Sequence, residues 1–89
     1  MQNRVTEKHL QNIIDRLNRI TGSPMKPYEG NKAQIGNYHL SHAYGGVCLH
    51  RMGNEGGGVS SPLSTGHIPK RELQGLLYAF ISGIEVATC

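Results

Sequence analysis

The chain predicts an α+β domain: a helix, a two- or three-stranded antiparallel sheet, and a second helix, with both helices packed on one sheet face. Three observations predict it. An apolar stripe of helical period opens the chain, a similar stripe closes it, and between them two alternating runs flank a Gly-Gly pair. Eighty-nine residues fit one domain, spanning 1–89, with 4–84 as the ordered core and 85–89 frayed.

The first helix is predicted over residues 6–21. Leu10, Ile13, Ile14, Leu17 and Ile20 fall on one face, with Lys8, Asn12, Asp15, Arg16 and Arg19 on or beside the wet face. Thr6 can cap the first turn and Val5 can staple onto Leu10. Gly22 suits the left-handed position past the end, and Pro24 forbids continuation.

Residues 22–36 read as an irregular connector, because two prolines and three glycines interrupt any period. Tyr38 to Tyr44 then alternates, Gly45-Gly46 is a two-residue hairpin signal, and Val47 to Met52 alternates again. A turn on those glycines sets Tyr44 opposite Val47, His42 opposite Leu49 and Leu40 opposite Arg51. The face carrying Tyr38, Leu40, His42, Tyr44, Val47 and Leu49 should meet the helices. The other carries His39, Ser41, Ala43, Cys48, His50 and Met52, and a slip of one residue would exchange the two.

Residues 53–66 are rich in Gly and Ser. Asn54-Glu55 can turn the chain, and Val59 to Leu63 can add a third strand interrupted by Pro62. Pro69 suits the first position of the second helix, whose stripe is Leu73, Leu76, Leu77, Phe80, Ile81 and Ile84.

Composition narrows the function classes. Apolar residues make up 37% of the chain, there is no Trp, and Gly occupies twelve positions, so the core is lean and self-association would enlarge it. The formal charge of +3 favours an anionic partner weakly, and no run of like charge marks a nucleic-acid-coating tail. No apolar stretch approaches the roughly 18 residues of a membrane span, and the N-terminal residues do not resemble a secretory signal. The expectation is a cytoplasmic protein with Cys48 and Cys89 reduced.

The chemistry-bearing corner is Gly66-His67-Ile68-Pro69-Lys70-Arg71. A helix start offers unpaired N–H groups and a partial positive charge, so its first turn ordinarily favours acids. Here Lys70 and Arg71 stand there instead. An anionic ligand would offset that arrangement; a solvated first turn with Glu72 balancing the charge is the other reading. Arg51 is a further cation for such a ligand, and Tyr44 or Tyr78 could stack on a base.

Gly75, Ala79 and Gly83 recur every fourth residue on the second helix, which permits close approach of another backbone and suits a subunit contact. The bland reading is tolerance at exposed sites.

Enzyme signatures are missing. The Gly run at 56–58 matches neither a phosphate-loop nor a dinucleotide fingerprint, and reads as a flexible loop. His39, Ser41, Cys48 and His50 share a face, but no metal-ligand spacing occurs. Cys48 beside a histidine could form a nucleophile–base pair, yet a strand cysteine is commonly a small buried hydrophobe. The expectation is a non-enzymatic protein with no metal and no cofactor.

The strings TEKHLQNIIDRLNRITGSP, IGNYHLSHAYGGVCLHRMGNEGGGVSS and GHIPKREL resemble small, mostly uncharacterised proteins of tailed bacteriophages, over residues 4–84. That resemblance implies a virus-encoded protein in the cytoplasm of an infected bacterial host, and gives no residue a role. By element order alone the chain is also similar to the double-stranded-RNA-binding domain, with Lys70-Arg71 a thin counterpart of its basic second helix.

The functional expectation is a phage accessory protein of counter-defence type, a homo-oligomer that binds and sequesters a small phosphorylated, nucleotide-like ligand. The alternatives are an inhibitor docking on a host defence or transcription complex and, third, a nucleic-acid-binding module.

Overall fold

A computed structural model describes residues 5–88. In chain order the elements are α1 (Glu7–Thr21), β1 (Tyr28–Glu29), β2 (Lys32–Ala33), β3 (Tyr38–Ala43), β4 (Gly46–Met52), β5 (Val59–Ser60) and α2 (Lys70–Thr88). The α+β architecture follows the expectation. β3, β4 and β5 form one antiparallel sheet in that order, and β1 and β2 pair separately.

α1 forms where the sequence signals place it. Thr6 Oγ1 accepts the His9 N–H at 3.2 Å, and His9 Nδ1 accepts the Thr6 N–H at 3.3 Å, a capping box with histidine in the place usual for Glu or Gln. Val5 packs on the cluster that contains Leu10. At the other end Gly22 adopts φ 68°, its N–H bonds to Arg19 O, and Ser23 N–H bonds to Asn18 O at 2.9 Å. That is a Schellman termination, and it requires the left-handed conformation glycine tolerates. Ile20, expected on the buried stripe, is exposed, whereas Asn18 is buried.

The connector holds an element that sequence reasoning excluded. Tyr28 pairs with Ala33 and Glu29 with Lys32. Gly30 has positive φ and Asn31 does not, the sign pattern of a type II′ turn. Contacts from far along the chain hold it: Ala33 N–H bonds to Glu55 O at 3.3 Å, and Lys32 Nζ lies 3.5 Å from Glu55 Oε2. Two residues per strand are too few to show a period, so only these tertiary contacts reveal it.

The main hairpin turns one residue earlier than its glycines suggest. Tyr44 and Gly45 are the central residues, with φ 54° and 75°, and Gly46 belongs to β4. Leu40 therefore opposes Leu49, His42 opposes Val47 and Tyr38 opposes Arg51. This register differs by two residues from the expected one, so both faces keep their membership except that Tyr44 joins the turn.

The third strand is shorter than Val59 to Leu63: only Val59 and Ser60 pair with β4. Past Pro62 the chain leaves the edge and returns at Ile68, which exchanges two backbone hydrogen bonds with Val47, 2.8 and 2.9 Å. The intervening loop covers Cys48, whose Sγ lies 3.4 Å from Ser61 Oγ and 3.7 Å from Thr65 O.

α2 begins one residue after Pro69, whose carbonyl accepts the Leu73 N–H. The helix spans Lys70–Thr88 and so includes residues 85–88; Cys89 lies outside the described residues. Leu73, Leu77 and Ile81 are buried, with Phe80 and Ile84 packed beside them. Leu76, expected in that stripe, is exposed.

The core lies between the two helices and one sheet face: Leu10, Ile13, Ile14 and Leu17 from α1, Tyr38, Val47 and Leu49 from the sheet, and the three α2 residues. Each fully buried aliphatic side chain contributes about 1.5–3 kcal/mol. Phe80 meets Tyr38 edge-on, with ring centroids 6.0 Å apart. On the opposite sheet face Cys48 and Met52 are buried as well, and His39, Ser41 and His50 are half-buried.

Candidate functional site

Gly46 fixes the tip of the hairpin. A Cβ at this position would stand 2.8 Å from His67 C and 2.9 Å from Ile68 N, both backbone atoms. Only glycine allows the 67–68 segment to reach Val47, so Gly46 is committed to β4 and the turn falls on Tyr44. A tyrosine at positive φ carries strain of about 1–2 kcal/mol. Its ring recovers little of that by burial, since Tyr44 is 99% exposed.

The same close approach delivers His67 to the outer sheet face. Its Nε2 lies 3.1 Å from the Ser41 hydroxyl. Its ring meets His50 edge-on at 6.3 Å and Tyr44 edge-on at 6.0 Å. Across the strands His39 opposes His50, ring centroids 5.9 Å apart and nearly perpendicular. His39, His50, His67 and Tyr44 thus form a row from the base of the hairpin to its tip.

His39 and His50 bind a proton less readily than an ordinary imidazole. Burial, reinforced by the His50 imidazole, draws His39 below its ordinary 6.5, partly opposed by a hydrogen bond to Asn37. Burial and the His67 ring draw His50 down in the same sense. Just past His67 in sequence α2 opens with Lys70 and Arg71, both exposed.

Of the sequence-predicted ligand residues, the structure brings Tyr44 and His67 into contact and leads directly from them to Lys70 and Arg71. Gly66 is exposed, with open space where a Cβ would lie. Arg51 does not join them. It sits on the helix side of the sheet with its guanidinium 5.3 Å from the Tyr38 ring centroid, a cation–π contact that commits it to the fold. Tyr78 is also elsewhere, about 12 Å along α2 from Lys70. It lines a shallow groove of about 380 Å³ between the helices with His9, Asn12, Ile13, Arg16 and Gln74.

Gly75, Ala79 and Gly83 are exposed, and open space lies beyond both glycines.

His39, His50 and Ser41 are the site residues that sequence reasoning did not select for binding. Strand alternation placed them on one face, but the arrival of His67 from a loop 26 residues beyond Ser41 carries no local signal. Among the described residues no group of three or more His, Cys, Asp or Glu side chains is arranged to hold a metal ion. Ser41 and His67 are within nucleophile–base distance, yet no carboxylate pairs with His67 among the described residues. The arrangement offers hydrogen bonds, ring faces and positive charge, which are means of binding.

No protein-family model, curated protein or solved structure matches this chain. No helix of the described residues is long and apolar enough to cross a membrane.

Proposed function

We propose that this chain is a non-enzymatic binding protein whose ligand is a small phosphorylated, nucleotide-like molecule held at the hairpin tip and the start of α2. The observation that carries this reading is Tyr44, a wholly exposed ring held at φ 54° and set edge-on to His67. A turn selected for stability alone would place Gly, Asn or Asp there. A strained, solvent-facing aromatic next to an imidazole and a basic first turn supports a role in contact.

In this reading Lys70, Arg71 and His67 meet phosphate and Tyr44 stacks on a base. The likeness to tailed-phage proteins supports a setting in the infected bacterial cytoplasm, where sequestering such a molecule would serve counter-defence. Sequestration needs affinity and abundance but no turnover. Self-association through the Gly75, Ala79 and Gly83 stripe belongs to the same reading, supported by the open space beyond it.

Calorimetry against nucleoside mono- and diphosphates, cyclic nucleotides and short oligonucleotides tests the proposal, with native mass spectrometry reading subunit number and retained ligand together. Saturable heat that Tyr44→Ala and Lys70→Gln weaken is expected. No heat and no retained phosphorylated compound would end it.

A further inference from the structure

The outer sheet face has more of a ligand's shape than a phosphate corner requires. Its four rings stand at near-constant intervals of 5.9, 6.3 and 6.0 Å along the hairpin. Every contact is edge-on, so no two rings cover each other by parallel stacking. The helices pack on the other face; on this one the segment after β5 covers Cys48 and brings in His67, and His39, Ser41, His50 and His67 are half-buried.

Carboxylates are kept away from the row, and the cations that open α2 follow its His67 end in sequence. The protein has six acidic residues, and four are engaged away from the row: Glu7 with His42, Asp15 with Gln11, Glu55 with Lys32 and Glu85 with Arg16. Glu29 lies on the separate two-stranded sheet. Glu72 alone follows Lys70 and Arg71 in the first turn of α2. The row itself carries no carboxylate, and its His39 and His50, with Ser41 beside His67, can both give and take hydrogen bonds.

We infer that this face takes a short single-stranded oligonucleotide, its bases laid along His39, His50, His67 and Tyr44 and its phosphates directed toward Lys70 and Arg71. Ring surfaces that accept any base, with cations at the margin, are the means by which sheet faces hold single strands without reading sequence. The six residues of β3 extend about 20 Å, room for roughly four nucleotides. Duplex nucleic acid fits poorly, because its bases present no free faces to such a row. This inference rests on the phosphate-binding reading and adds the number of nucleotides and the route they take.

Fluorescence anisotropy of the full chain with labelled thymidine monophosphate, with its single-stranded dimer, tetramer and octamer, and with a long GC-rich DNA duplex provides the test. The expected result is an affinity rising about tenfold or more from monomer to tetramer and levelling at the octamer. His39→Ala and His50→Ala should weaken the tetramer about fivefold more than they weaken the monomer. Tyr44→Ala, at a fully exposed position that folding does not use, should weaken both. A tetramer bound no better than the monomer, indifference to both histidine variants, or equal binding of duplex would overturn the inference and leave the phosphate reading intact. Absence of binding by every probe would overturn both.

Discussion

Asn18 closes the outer edge of β3 at Tyr38 as a neighbouring strand would. Its Nδ2 donates to Tyr38 O at 3.0 Å and its Oδ1 accepts the Tyr38 N–H at 2.8 Å, with the side chain 1% exposed. The amide thereby ties α1 to the sheet through both backbone groups of one residue. In Asn18→Ala both lose their partners in a buried setting, at about 1–3 kcal/mol each. Urea denaturation should show a loss of about 2–6 kcal/mol, enough to lower Tm by roughly 10 °C or more at this size. A loss within 0.5 kcal/mol would mean that water replaces the amide.

Tyr44 should oppose stability and binding. Tyr44→Gly or Tyr44→Asn relieves the positive-φ strain and surrenders no buried area, so stability should rise by about 1 kcal/mol. Affinity for nucleotides should fall in the same variants. Thermal melts beside calorimetry check both signs, and a destabilised variant would show that the ring supports the fold.

Gly46→Ala should do the reverse of a turn-optimising change. The new methyl meets the His67 and Ile68 backbone below 3.0 Å, so β4 and that segment must part. A loss of about 1–3 kcal/mol is expected. The His67 ring resonances should shift as the imidazole leaves Ser41, which two-dimensional NMR reads directly.

His39 and His50 make stability depend on pH with a definite sign. Both bind a proton less readily folded than unfolded, chiefly through burial, with a neighbouring imidazole adding to it. Their contribution is fully present above the ordinary 6.5 and is lost as pH falls through their lower folded values. Denaturation midpoints should therefore drop on acidification below 6.5, before carboxylates titrate near pH 4. The double variant His39→Asn, His50→Asn should flatten that part of the profile; an unchanged slope would assign it to other groups.

Lys70 is expected to act through charge. Lys70→Gln should weaken an oligonucleotide at low salt and reduce the slope of log affinity against log salt by about 0.7, the value for one phosphate of a single strand. A slope that does not move would place Lys70 outside the interface.

The helices and sheet faces were legible because their signals are local. Thr6, Gly22 and the 3.6-residue stripes act within one element, and strand alternation survives a register shift of two. The turn was misread for a reason that lies outside the hairpin: Gly46 is held in β4 by a backbone arriving from residues 67–68. β1 and β2 escaped detection because Glu55, more than twenty residues away, helps to hold them. The site divides the same way. Lys70, Arg71 and His67 stand out as a sequence cluster, whereas Arg51 looks equivalent until its stacking on Tyr38 removes it, and His50 gains His67 as a neighbour only through the fold.

The central claim is that a phosphorylated ligand meets the Tyr44–His67 corner. Heteronuclear NMR of histidine rings and backbone amides during titration with thymidine monophosphate at neutral pH reads it most directly. Saturable shifts centred on Tyr44, His67 and Lys70, with Arg51 and Tyr78 unmoved, are the predicted result. Shifts centred instead on His9, Arg16 and Tyr78 in the interhelical groove, or no shifts at all, would contradict it.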